Sequence, residues 1–293
     1  MKRPTVITSL TLLLVVMGVI SLTLGKYPVS LRDTALFLVA KITGHQQATS
    51  LSMDLLDSLF LSIRLPRVLA AILVGSSLSV AGAAFQAMFI NPLVSPSLLG
   101  VLAGASFGAA LGMILFKNWL AVQVSTFVFG FISVMVAVGI ARMFKGSTIL
   151  LLILGGVISG AMFTSLLSVV KYCADPYEKL PAIVYWLMGG LSYADAQTVW
   201  FTAIPMVISM LMLVALSGYL NVLSMGDEEA RALGVPVERI RLLMIFLASL
   251  VSSLTVVIAG MIGWVGLIIP HISRMLVGPD NKILIPVSIL IGG

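Results

Sequence analysis

Long stretches without a charged side chain alternate with short polar clusters along this chain. Charge-free runs occupy Pro4–Gly25, Val68–Phe116, Asn118–Ala141, Gly146–Val170, Leu180–Ala194, Ala196–Gly226, Leu242–Ser273 and Ile283–Gly293. A helix that crosses a bilayer takes about 20 mostly apolar residues, so these runs measure out the spans. Val68–Phe116 holds two, interrupted at Asn91-Pro92-Leu93-Val94-Ser95-Pro96, where two prolines stop helix continuation. Leu242–Ser273 holds two short ones that turn near Gly260–Gly263. Leu180–Ala194 is too short to cross and reads as an interfacial or re-entrant piece. The pattern predicts eight spans and the start of a ninth at Ile283. A half-span leaves backbone groups unsatisfied in lipid, so the expectation is a fragment or an unusually short natural C-terminus.

Composition agrees with an all-α, polytopic membrane protein in one transmembrane domain, residues 1–293. Hydrophobic residues make up 60% of the 293 and charged ones 10%, and the mean hydropathy is +1.16. Water-soluble enzymes and nucleic-acid binders are excluded. Lys2 and Arg3 precede a run too long for a 7–15-residue signal core and without a small-residue cleavage site, so this run is the first span. The formal charge of +6 belongs to loops. With the N-terminus inside, nine Lys/Arg fall inside and eight outside, which sets no orientation. The Lys2–Arg3 pair leans toward a cytoplasmic N-terminus.

Within the spans, small residues recur at helical spacing. Gly100, Gly104, Gly108 and Gly112 form one stripe, and Gly156, Gly160, Thr164 and Ser168 another, with Ser159 and Ser165 beside it. Such stripes let helix backbones approach closely in lipid. Plain helix–helix contact is the commoner meaning, and the wall of a translocation path the sharper one. Gln86 reads as a cross-helix hydrogen bond. No Asp or Glu falls inside any span. Proton- or sodium-coupled carriers usually bury ionisable groups at mid-membrane, so this absence weighs against the alternative of an ion-coupled secondary transporter. His45 and His271 stand apart and Cys173 is the only cysteine, which leaves no metal site, catalytic cluster or internal disulfide.

Three clusters lie outside the apolar core. Gly226-Asp227-Glu228-Glu229-Ala230-Arg231-Ala232-Leu233-Gly234-Val235-Pro236 reads as a short capped helix. Its acids sit at the positive end, Asp227 pairs with Arg231 at i,i+4, and Gly234 takes the C′ position. Pro236 then starts a second short helix through Arg241. The bland reading is a solvated loop, and the sharper one a docking element. Arg64-Leu65-Pro66-Arg67 precedes the second span, with Pro66 turning Leu65 away from helix. The pair serves either as a snorkelling anchor or as two guanidinium forks for a partner's carboxylates. Gly263-Trp264-Val265-Gly266-Leu267-Ile268-Ile269-Pro270-His271-Ile272-Ser273-Arg274 reads as a kinked span with a polar end.

Taken in order, these residues resemble the permeases of type II ABC importers, the iron-siderophore, haem and cobalamin uptake family. The resemblance is carried by Arg64-Leu-Pro-Arg67, Gly82 and Gln86, Asn91-Pro92-Leu93, Pro96 and Leu99-Gly100. It continues through Leu152–Val157, Trp186–Leu191, Leu220–Val235, Gly260–Arg274 and Gly278-Pro279-Asp280. It implies a ten-helix permease fold, with spans nine and ten incomplete or absent here. It also implies a homodimer in a bacterial inner membrane, two cytoplasmic subunits that bind ATP and Mg, and a periplasmic substrate-binding protein. The chain itself then holds no cofactor and is no enzyme. By resemblance, residues 226–241 form the cytoplasmic coupling loop. Gly226, Asp227, Glu228, Glu229, Arg231, Leu233 and Gly234 are its contacts with the ATPase, while Arg64 and Arg67 receive the binding protein. The path is expected along Gly100, Gly104, Gly108, Gly156, Ser159, Gly160, Thr164 and Ser168. The substrate is a metal chelate (ferric siderophore, haem or cobalamin) or an oxyanion such as molybdate or tungstate. The family's inverted repeat leaves a faint trace, Ser76–Gly82 against Ser252–Gly260.

Overall fold

The structure is a computed structural model that describes residues 3–25, 27, 29–43, 52–144 and 148–293. Lys2, His45 and Gly146, which entered the reading above, lie outside the described residues. The described residues form helices α1 (Arg3–Thr23), α2 (Leu31–Thr43), α3 (Met53–Asp57), α4 (Leu65–Met88), α5 (Val101–Leu115), α6 (Trp119–Met143) and α7 (Thr148–Cys173). They continue as α8 (Lys179–Leu187), α9 (Ala196–Ala215), α10 (Ser217–Leu223), α11 (Asp227–Ala232), α12 (Val237–Ala259), α13 (Val265–Val277) and α14 (Asn281–Gly292). Six helical segments are long and apolar enough to cross a membrane, and α5, α13 and α14 are shorter apolar helices. The eight expected spans and the ninth at Ile283 therefore each have a helix.

Burial sorts these helices into a centre and a rim. In the most apolar window of α12, 78% of the residues are buried, and 67% in the segment Met53–Met88 that contains α4, against 6% in α1. The centre can be dense because its side chains are small. From Gly75 to Ala84, α4 reads Gly-Ser-Ser-Leu-Ser-Val-Ala-Gly-Ala-Ala, and every one of these residues is buried. Helices α9, α12, α13 and α14 all pack on α4. At Gly75 an added Cβ would overlap the Gly292 carbonyl oxygen of α14, and at Gly82 the Gly266 carbonyl oxygen of α13. Ser76 donates to the Ile289 carbonyl at 2.8 Å, one of the polar ties between α4 and α14. In lipid, contacts of this kind stand in for the missing hydrophobic drive between helices.

Two local expectations change, and one helix was not foreseen. Leu65 is helical, not turned away, and helix runs without a break from Met53 through Pro66 to Met88. The reason is the π-helical stretch Ser58–Arg64, where the Leu65 N–H donates to Phe60, five residues back. That wider turn relieves the clash between a proline ring and the carbonyl four residues earlier. Pro236 caps α12 directly, so the charges Glu238, Arg239 and Arg241 lie in the first turns of a long span and no separate short helix exists. Helix α2 interrupts no charge-free run, because Arg32, Asp33 and Lys41 stand within it. It docks through Phe37 stacked on Phe60, with ring centroids 4.8 Å apart, and through Lys41 paired with Asp57 at 2.8 Å.

The crossing at Gly82 gives a stability test. Gly82→Ala should cost about 1–3 kcal/mol, the usual range for overpacking, because backbone rather than a movable side chain blocks the methyl. Gly139, whose added Cβ would meet nothing within 4 Å, is the control, and Gly139→Ala should leave thermal unfolding in detergent unchanged. Equal melting curves for the two variants would count against the close crossing.

Candidate functional site: a braced knob, a split mid-section and an outer arginine

At one end of the bundle α11 stands proud of the chain. Its C-terminus closes as a Schellman motif: the Val235 N–H donates to Ala230 at 3.1 Å and the Gly234 N–H to Arg231 at 2.9 Å, with Gly234 at φ +77°. That left-handed conformation is why glycine stands there. Ala230 is fully buried and roots the knob in the main core beside Leu220, Leu223 and Val237. Glu228, Glu229 and Arg231 are exposed around it, and Met225 and Leu233 are large apolar side chains left uncovered.

Asp227 has another partner than the one expected. It accepts from both terminal nitrogens of Arg241, one at 3.0 Å, and Arg241 is 2% exposed. Arg231 instead stands 3.8 Å from Glu238, in an exposed pair. Spacing alone favoured the i,i+4 pair. The fork of Arg241 wins because it rises from the first turns of α12 and reaches both carboxylate oxygens from a water-poor site. This hydrogen bonding, helped by the charges of Arg241 and Arg231, holds the Asp227 carboxyl below its ordinary pKa despite partial burial. The knob is thus braced to the very helix that crosses the core.

Midway along the bundle, two breaks meet. After α4 the chain turns at Ile90 (φ +50°) and forms the 3₁₀ turn Pro96–Leu99. After α12 it runs extended to Trp264 (φ +68°) before α13 begins. An added Cβ on Gly266 would lie 2.9 Å from Pro96 Cδ and 2.8 Å from the Leu78 carbonyl. On its other side the Pro96–Gly100 segment meets α7: an added Cβ on Gly100 would lie 3.1 Å from the Gly160 nitrogen, and one on Gly156 would overlap the Leu98 carbonyl. The prolyl turn is therefore a wedge between α7 and α13. A small cavity of about 30 Å³ remains between the breaks, walled by Leu78, Ser95, Pro96, Ser252 and Trp264 among others.

The two small-residue stripes divide on inspection. Gly104 and Gly108 are covered by α6, where added Cβ atoms would overlap the Phe129 and Ser125 carbonyls, so they serve helix contact and not an open wall. Ser125 donates to the Gly108 carbonyl at 2.7 Å across this contact. Gly100, Gly156 and Gly160 hold the wedge, and buried Ser159 donates to the Ser133 carbonyl at 2.6 Å. Thr164, Ser165 and Ser168 do line an open face of α7, each donating back to its own helix four residues earlier. The open face of α13 carries Trp264, Ile268, His271, Ile272 and Met275. The resemblance also implies that the outer 180–194 piece and the eighth span line the path, but within that span Trp264 is not singled out. Its left-handed backbone and 75% exposure beside a helix break are features no spacing rule announces. Gln86 makes the expected cross-helix bond, donating to the Leu267 carbonyl at 3.3 Å, and also accepts from Arg274 at 3.2 Å.

At the opposite end the two arginines part. Arg64 is 7% exposed and donates to the carbonyls of Leu22 and Tyr27, with its guanidinium carbon 5.4 Å from the Phe60 ring centroid. Arg67 is exposed. Only Arg67 presents a guanidinium outward.

Residues 13–293 match the FecCD transport family. The molybdate import system permease protein MolB of Haemophilus influenzae is 39% identical over 99% of this chain and 84% of its own length. An iron chelatin transport system permease of Helicobacter pylori is 34% identical over 95% of this chain and 83% of its own. Among solved structures, a metal-chelate type ABC transporter in an inward-facing conformation superposes with a TM-score of 0.84 at 37% identity, covering 99% of this chain and 87% of that one.

The brace has a pH signature. Because the folded pKa of Asp227 is depressed, its stabilisation is fully present above the unfolded value of about 3.9 and is lost as pH falls through the folded value. Acidification below about pH 4 should therefore loosen the knob in the native protein. Asp227→Asn should show this looseness already at neutral pH, read as faster amide exchange over residues 226–236. Glu228→Gln, which touches neither the fork nor the charges that support it, should not; identical exchange in Asp227→Asn and the native chain would show that the brace carries no stability.

Proposed function

The chain belongs to the FecCD transport family, the permeases of binding-protein-dependent ABC importers, and from this we propose how its parts divide that work. A cytoplasmic ATPase seats on the knob at Gly226–Gly234. Glu228, Glu229 and Arg231 supply polar contacts, and Met225 and Leu233 an apolar anchor. The observation that carries this reading is the braced knob: a short helix flanked by uncovered apolar side chains, held by a fork between half-buried Asp227 and buried Arg241 to a span that crosses the core. Displacement at the knob is passed along α12 as a rigid body to the break at Gly260–Trp264. ATP and Mg belong to the partner subunit, two copies of which serve two copies of this chain. With the knob cytoplasmic, the N-terminus lies on the same side of the inner membrane.

The open faces of α7 and α13 flank the wedge, and a second copy closes them into a path. Thr164, Ser165 and Ser168 line it with hydroxyls already engaged by their own helix, while His271 and Trp264 line the α13 side. Nothing there holds a charged substrate tightly, so selection rests with a periplasmic binding protein that docks at Arg67. Arg64 positions that site by fixing the backbone beneath it. The substrate is a metal oxyanion of the molybdate class, supported by the similarity to the Haemophilus permease over nearly the whole chain.

Reconstitution of permease, ATPase and binding protein in vesicles tests the whole reading. Labelled molybdate should accumulate only with ATP on the ATPase side, and a proton or sodium gradient alone should drive nothing. Uptake of a ferric chelate with molybdate ignored would overturn the substrate, and gradient-driven uptake the class. At the outer face, Arg67→Glu should weaken binding-protein affinity roughly five- to tenfold at low salt and less at high salt, as for an exposed rim charge. Affinity that moves at neither salt would remove Arg67 from docking.

A further inference from the structure

Two cavities adjoin between α6 and α12 at the knob end of the bundle. The deeper one, of about 340 Å³, is walled by Phe131, Val134, Met135, Leu243 and Phe246 and is almost wholly apolar. The other, of about 260 Å³, opens nearer the helix ends beside Phe144, Thr148, Glu238 and Arg241. Val138, Arg142, Leu242 and Ile245 line both. They therefore form one groove, stopped at its deep end by the edge-to-face pair Phe131–Phe246, with ring centroids 5.3 Å apart. From Phe131 to Arg142 the groove follows 11 residues of α6, roughly 16 Å at 1.5 Å per residue. That is about half of a 30 Å hydrocarbon core, the depth of one leaflet.

Charge at the mouth fits the same occupant. Arg241 is neutralised by Asp227, and Glu238 faces Arg231. Arg142 is exposed, and none of the ion pairs among the described residues uses it. The Arg241 Nε is buried without an acceptor among the described residues, so the wall behind the mouth stays rich in donors. One uncompensated positive charge above an apolar slot of single-leaflet depth is complementary to a phosphodiester with an acyl chain. We propose that this groove holds one anionic phospholipid of the inner leaflet, its phosphate at Arg142 and one acyl chain along Met135, Val138 and Phe246. The leaflet assignment rests on the cytoplasmic placement of the knob. Seated there, the lipid touches the first turns of α12, the helix that braces Asp227, and couples lipid composition to the knob.

Native mass spectrometry of the purified permease tests this, with phosphatidylglycerol and phosphatidylcholine of identical acyl chains as probes. Phosphatidylglycerol should be retained about fivefold more than phosphatidylcholine, the increment of one arginine near a membrane surface. Arg142→Gln should abolish that preference, and Met135→Trp, at an exposed position, should lower retention of both lipids by filling the slot. Unchanged selectivity in Arg142→Gln would overturn the proposal. So would equal competition by inorganic phosphate, or complete lipid release when the ATPase subunits bind, which would give the groove to the ATPase. Co-purification of the ATPase is scored separately: its failure with phosphatidylglycerol preference intact would overturn the transporter reading and support the lipid site.

Discussion

A chain that breaks its helices inside a membrane must partner the backbone groups it frees and still pack the broken segments closely. Two breaks, after α4 and after α12, leave carbonyl and amide groups without helical partners where water is scarce, and each such group costs several kcal/mol if left bare. Some find partners nearby, as the Gly190 N–H donates to the Ala259 carbonyl at 2.7 Å and the Asn91 N–H to the Gln86 carbonyl at 3.1 Å, and the two breaks pack against each other. Gly266 fits beneath Pro96 and Leu78, Gly82 admits the Gly266 carbonyl, and on the far side Gly100 meets Gly160 of α7 while Gly156 of α7 admits the Leu98 carbonyl. Every one of these contacts needs a residue without a side chain, supplied by α4 at Gly82, by α13 at Gly266, by α7 at Gly156 and by the prolyl turn's end at Gly100.

That constraint also places the parts to which transport roles are proposed above. Because α4 and α12 fill the centre, α7 and α13 are pushed to its edge with one face each left open. The wedge between them is short, proline-stiffened and tied to both. A small change in the angle of α12 therefore acts on the break at Gly260–Trp264, one of the two that enclose the wedge. The Asp227–Arg241 fork lies at the other end of the same helix. A rigid span with a braced knob at one end and a strained tryptophan just past the other has the form of the lever proposed above.

Much of this was legible in the sequence because lipid imposes a simple rule on charge. The spans followed from charge-free runs, and the order of polar clusters pointed to the family. What escaped had long-range causes. Helix α2 hid behind Arg32, Asp33 and Lys41, since a helix lying outside the core tolerates charge. The choice of Arg241 over Arg231 for Asp227 depends on how α11 folds back onto α12, which i,i+4 spacing does not encode. The glycine stripe of α5 looked the same whether it faced a path or α6, and only the neighbouring carbonyls of Ser125 and Phe129 decide it. Trp264 stood in plain sight within a recognisable cluster, yet its importance lies in a backbone angle.

Arg64 and Arg67 show how one residue type at nearly one helical turn acquires two jobs. Helix α1 ends at Thr23, so the Leu22 carbonyl is among the last four that have no partner within the helix. A cation there satisfies both the hydrogen bond and the negative end of the helix dipole. Arg64 fills that role from the end of the π-helical stretch, 42 residues further along the chain, and lies close against Gly25, where an added Cβ would stand 3.0 Å from its Nη2. The widened turn that admits Pro66 also sets the register of the helix that follows, and Arg67 emerges on the outside of it. The buried arginine fixes the scaffold so that the exposed one is held at a defined place, and the sequence Arg-Leu-Pro-Arg is read as a support and its contact rather than as a matched pair of contacts.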